Sequence, residues 1–230
     1  MPLHVPCQQV DSHDMLVLRD LVRFGVLADD QIERRYGDSA LATERLRMLV
    51  DGGLVQAWSP LLKDTSLYSA TAAGARVTRC GLRPTRPSLQ HLRHDVAVVD
   101  LADYIVDHDP AADWRSEREV GRVLRGRRPL TLIGGLPRNP SHTPDGLLLT
   151  NGKRVAIELE HSDKGDVRYA YICRWCALTI GIDAVRWYVD DPRIIARLRR
   201  VHQQHGFDED MDFTCAPFPP GVALRARGSP

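Results

Sequence analysis

Three carboxylates in one short stretch have the spacing of a group that handles cations or protons. Asp145 stands in Thr143-Pro144-Asp145-Gly146, and Glu158 and Glu160 close the run Val155-Ala156-Ile157-Glu158-Leu159-Glu160. Between them lies Asn151-Gly152, the strongest short-range signal for a two-residue hairpin turn. Leu147, Leu148 and Leu149 then belong to one strand and residues 155–160 to its return. Alternation sends Val155, Ile157 and Leu159 to one face and Ala156, Glu158 and Glu160 to the other. Apolar strands of this kind are buried, and carboxylates are rarely buried without a partner or a metal. Two glutamates on one face, opposite an aspartate at the start of the neighbouring strand, are therefore expected to form a cluster that needs a cation.

The elements ahead of the hairpin follow a different period. From His13 the pattern is helical, with Ser12 or Asp14 as cap, Leu16, Val17, Leu21, Val22 and Phe24 as the apolar stripe, and Gly25 as the stop. A second helix fits residues 29–36. A third follows Asp38 or Ser39 and runs to about Asp51, with Leu41, Leu46, Leu49 and Val50 inward and Gly52-Gly53 at its end. Strand-like pieces at 54–58 and 66–70 come next, then a helix capped by Thr71. Three helices followed by a two-stranded wing is the order of a winged helix-turn-helix, and the phrase RLRMLVDGGLVQAW…SLYSATAAGARV resembles that fold. A short amphipathic helix fits the DNA major groove, where arginines reach guanine edges or phosphates. The expected DNA contacts are Thr43, Arg45 and Arg47 on the third helix, Arg34 and Arg35 on the second, and Lys63 at the wing tip.

Residues 82–87, with two prolines, read as a linker. A long helix is expected over 88–107. Residues 115–128 hold six arginines against two glutamates, and Arg122 and Arg125 in this window are candidate phosphate contacts. Residues 136–142 read as loop. After the hairpin come a helix over 167–180, a strand over 183–189 and a helix ending near His205. Residues 207–230 read as a tail that wraps the domain or is partly disordered. The expected domains are a winged helix over 13–81, an αβ domain over 88–206 and the tail.

With 43% hydrophobic and 27% charged residues the composition is that of a soluble globular protein, and the mixture of helices and strands along the chain makes the expected class α/β (α+β). No apolar run reaches the roughly 18 residues of a membrane span, and the first residues lack a signal-peptide pattern, so no membrane partner and a cytoplasmic location are expected. A net charge of +1 confines any nucleic-acid contact to local basic patches. The five cysteines are scattered. Cys173 and Cys176 have redox or zinc spacing, but they sit in an apolar helical pattern and read as buried thiols.

The order helix, strand, hairpin, helix, strand, helix resembles the restriction-endonuclease-like core. Thr143-Pro144-Asp145-Gly146 looks like its PD element, and Glu158-Leu159-Glu160 like its (D/E)xK element with glutamate in the last place. The whole arrangement, a winged helix followed by WRSERE, TPDG and AIELEHSDK, resembles the replication-relaxation family of actinobacterial plasmids, phages and integrated elements. That resemblance implies Asp145 and Glu158 as Mg2+ ligands, Glu117 as a further carboxylate, and Glu160 as a base where a lysine normally stands. Lys164 would be a migrated lysine. It also implies a sequence-specific binder of double-stranded DNA that regulates replication, transfer or transcription, with a nuclease-like second domain used for DNA binding or homodimerisation. The alternative is a Mg2+-dependent endonuclease or nickase.

Overall fold

The computed structural model describes residues 10–62, 65–124, 142–179, 181–207 and 211–222. The chain divides into two compact units, Met1–Val99 and Asp100–Pro230, each mixing helices with one sheet.

The first unit runs α1 (Ser12–Phe24), β1 (Leu27–Ala28), α2 (Asp29–Tyr36), α3 (Ser39–Asp51), β2 (Val55–Leu62), β3 (Thr65–Ala70) and α4 (Ala72–Thr78), then the start of α5 (Leu92–His108). Its antiparallel sheet has the order β1-β3-β2. The cap of α1 is Asp11, not Ser12 or Asp14. Its carboxylate accepts the Asp14 N–H at 2.8 Å while Asp14 accepts the Asp11 N–H at 3.1 Å, a reciprocal box that satisfies two otherwise unpaired donors. Buried Gln31 joins α2 to its surroundings, accepting from the Ala28 N–H at 3.0 Å and donating to the Val96 carbonyl at 2.8 Å. The core is built on Val17, Leu18, Leu21, Val22, Ile32, Leu46 and Leu49. Leu41, expected inward, is 41% exposed, and Ala42 takes the buried position. Strand β1 was not foreseen, because two residues between a helix stop and a helix start carry no periodicity.

The second unit continues from α5 through β4 (Asp113–Ser116), α6 (Glu117–Leu124), β5 (Gly146–Thr150), β6 (Lys153–Glu160), α7 (Asp166–Leu178), β7 (Ala184–Val189), α8 (Pro192–Gln204) and β8 (Asp212–Ala216). The sheet order is β4-β5-β6-β7-β8. The first three strands are antiparallel, and β6, β7 and β8 are parallel. The β5–β6 turn is Asn151-Gly152 with φ of 50° and 74°, both left-handed as a type I′ turn requires. Strand β6 lies in the middle of the sheet and is buried without a break from Val155 to Glu160. Helices α7 and α8 cover the face that carries Ala156, through Ile172, Cys173, Trp175, Cys176, Ile194 and Leu198. Burial pushes the Cys173 thiol up to about 12 and Cys176 well above its ordinary value, as inert core thiols behave. Residues 212–216, expected in a tail, instead form the strand beside β7. Among the described residues no helix is long and apolar enough to cross a membrane.

Gly146 admits no side chain. A Cβ there would come 2.1 Å from the Trp114 ring, and Trp114 is itself buried. Gly146→Ala is expected to lower stability by about 1–3 kcal/mol through overpacking, read as a reduced urea midpoint.

Candidate functional site: a carboxylate cluster on the central strand

The hairpin register creates the site. Gly146 pairs with Ile157, so Asp145, one residue earlier, comes level with Glu158. The Asp145 Oδ2 accepts the Leu159 N–H at 2.7 Å, which fixes the carboxylate across the edge of β6. Glu158 is 3% exposed and Glu160 2%. His142 Nε2 lies 2.5 Å from Glu158 Oε1, and its ring stands edge-on to Trp175 of α7, centroids 5.3 Å apart. Glu160 Oε1 accepts from the Ser162 N–H at 3.1 Å and the Ser162 hydroxyl at 3.3 Å. Its Oε2 meets Lys164 Nζ at 2.9 Å.

Burial raises the pKa of Glu158; His142 opposes the rise and the Asp145 charge adds to it. Burial likewise raises Glu160, against the pull of Lys164 and Ser162, and Asp145 adds again. The Asp145 charge therefore reaches both buried glutamates. The segment that carries Lys164 is held from two sides. The Tyr169 hydroxyl accepts the Lys164 N–H at 3.1 Å and donates to the Ser162 carbonyl at 3.3 Å. Asp163 pairs with Arg197, and Asp166 meets Arg197 at 3.2 Å and Arg200 at 2.8 Å on α8.

The structure thus brings Asp145, Glu158, Glu160 and Lys164 together. Glu117 is the exposed first residue of α6. The carboxylate turned inward from that turn is Glu119, which accepts the Ser116 N–H at 2.9 Å as a cap. Sequence reasoning missed His142, which it placed in a loop; its position three residues ahead of Asp145 was the available signal. Among the described residues no three His, Cys, Asp or Glu side chains form a group able to hold a metal ion. The oxygen donors of Asp145 and Glu158 suit a hard cation by type, while the side chains in place against the glutamates are the His142 imidazole and the Lys164 ammonium.

The expected DNA contacts separate into two groups. Arg45 and Arg35 point inward, a correction to their outward assignment. Arg45 bonds Asp14, which is 1% exposed and also accepts the Tyr36 hydroxyl at 2.7 Å. Arg35 bonds Asp20 at 2.7 Å and the Gln31 carbonyl at 2.7 Å, with its side chain 7% exposed. The reason is charge balance: α1 buries Asp14 and Asp20, and a buried charge left alone is strongly destabilising. Thr43 and Arg47 lie on the exposed side of α3, Arg47 being 3.9 Å from Asp51. Arg34 is exposed and pairs with Asp30 at 3.0 Å. Arg122 is exposed on α6. Lys63 and Arg125 lie outside the described residues. No family model matches the chain, and neither a curated protein nor a solved structure matches it.

Two outcomes are expected. Arg45→Ala should cost about 3 kcal/mol by leaving Asp14 buried and unbalanced, against at most about 0.5 kcal/mol for exposed Arg47→Ala, both from urea unfolding. The pH dependence runs the other way at the hairpin. Because Glu158 and Glu160 hold protons more tightly folded than unfolded, raising the pH above the ordinary glutamate value of 4.5 costs stability until the raised folded values are passed. Glu158→Gln removes one such group, so its melting temperature should gain on that of the parent protein as pH rises from 4 to 8, by about 2–4 °C per kcal/mol.

Proposed function

We propose that the chain is a sequence-specific binder of double-stranded DNA that reads its site with α3. The observation that carries this is the order α1-β1-α2-α3-β2-β3 with sheet order β1-β3-β2. Helices α2 and α3 are separated by only Gly37-Asp38, and Thr43 and Arg47 lie on the exposed side of α3. This is the arrangement in which a winged helix lays its third helix in the major groove. Arg47 is the base or phosphate contact on that helix, Arg34 lies on the helix before it, and Arg35 and Arg45 hold the reader rigid from within.

The second unit is read as restriction-endonuclease-like. Supporting this are three antiparallel strands followed by a parallel fourth after α7, with Asp145 just ahead of β5 and Glu158 on β6. With the first unit it favours the replication-relaxation resemblance, and hence a regulator of replication, transfer or transcription on a mobile element. The pairing of Glu158 with His142 and of Glu160 with Lys164 favours a non-catalytic role for this unit in DNA binding or homodimerisation.

A second reading, a Mg2+-dependent endonuclease, is favoured by the influence of the Asp145 charge on Glu158 and Glu160 and by the reach of Lys164 back to Glu160. Asp145 and Glu158 would hold the ion, which would supply a polarised phosphate and an acidified water. In that reading Lys164 steadies developing negative charge, and His142 must leave Glu158 for the carboxylate to be available.

Fluorescence anisotropy on duplexes selected from a random pool tests the first reading. Affinity is expected to fall steeply with salt, and Arg47→Ala is expected to weaken binding by about 1–3 kcal/mol. Unchanged affinity in Arg47→Ala would remove α3 as the reader. Plasmid nicking in Mg2+ that Asp145→Ala and Glu158→Ala both abolish would move the assignment to the endonuclease.

A further inference from the structure

We infer that a groove between α1 and α4 is a docking surface for an acidic amphipathic helix of a partner protein. The groove encloses about 750 Å3 and is lined by Met15, Leu54 and Val77 and by Arg19, Arg76 and Arg79. The first three are partly exposed and give an apolar floor, and the arginines are exposed at its rim. Methionine and valine at such a floor suit the packed stripe of a helix, with methionine adapting to its shape.

Charge identifies the occupant. Arg23, Arg34, Arg35, Arg45 and Arg47, on α1 to α3, each reach an aspartate within 4.0 Å. No ion pair within that distance joins Arg19, Arg76 or Arg79 to an acidic group among the described residues, and these three meet at one groove. The α4 dipole favours cations at Arg76 in its last turn and at Arg79, its C-cap, but it does not reach Arg19 on α1, which meets them at the same rim. Arg79 adds an independent sign. It caps α4 in the left-handed region at φ 53°, where glycine is the ordinary choice and a branched-out side chain costs energy. A backbone held there points to a use for the side chain it carries. Guanidinium groups match carboxylates in paired hydrogen bonds, so glutamates flanking an apolar stripe would satisfy rim and floor together. A DNA backbone would satisfy the rim and leave the floor against water. The groove also lies on α1 and α4, apart from the helix assigned to DNA.

The test uses the full chain and a labelled peptide of about 18 residues, long enough for helix formation, with leucines on one stripe and glutamates elsewhere. A scrambled peptide of equal composition and a short DNA duplex complete the set. The patterned peptide is expected to bind, and Arg76→Glu combined with Arg79→Glu to weaken it about tenfold or more, with the circular dichroism spectrum unchanged. Arg79→Gly is expected to weaken the peptide while holding or raising the melting temperature, because glycine accepts the left-handed cap. Equal binding of the scrambled peptide, or no binding of the patterned one, would overturn the inference. So would charge reversals that weaken only the duplex, since the rim would then serve phosphate.

Discussion

Strand β6 is covered on both faces, and it carries two glutamates into that cover. The rest of the second unit answers to this constraint. A central strand of a mixed sheet must be apolar where helices pack on it, and Val155, Ile157 and Leu159 meet that need on one side. On the other, Ala156 packs under α7 and α8 while Glu158 and Glu160 arrive at the same layer with charge. Each glutamate is met by a cationic or potentially cationic side chain from a flanking segment, His142 before the hairpin and Lys164 after it. The turn at Asn151-Gly152 sets the register that puts Asp145 beside them. A one-residue slip would turn both glutamates to the opposite face.

The first unit solves a related problem differently. There the buried acids, Asp14 and Asp20, lie on α1, and the arginines that balance them come from α3 and α2. Asp14 and the two hairpin glutamates therefore respond to acid in opposite directions. Burial pushes Asp14 up, but hydrogen bonds from Arg45, Tyr36 and the Asp11 N–H more than offset it, so its pKa lies below the ordinary value. Its contribution is present at neutral pH and lost on strong acidification. The hairpin glutamates are relieved by the same change.

Local chemistry was legible in the sequence, and long-range pairing was not. The helices of the first unit and the hairpin carry their own signals: caps, glycine stops, and a dipeptide with one preferred turn. Strand alternation placed Glu158 and Glu160 on one face, the hairpin turn set Asp145 opposite them, and Lys164 entered only through the resemblance to the nuclease-like core. Arg35 and Arg45 were misplaced because helical period says which side a residue leaves from, not where a long side chain ends, and their partners lie 15 and 31 residues away. Strand β8 was hidden because residues 212–216 are an edge strand with weak alternation, defined by β7 and not by their own pattern. His142 was hidden for a similar reason, since a histidine in irregular chain acquires meaning only from the carboxylate it meets.

The bond from the Leu159 N–H to Asp145 has a spectroscopic consequence. A main-chain amide that donates to a carboxylate shifts its resonance when that carboxylate takes up a proton or changes partner. Leu159 sits between the two buried glutamates, so its amide is a resident sensor of the cluster. The protonation and pairing of these carboxylates can be followed in the intact protein from that one amide cross-peak.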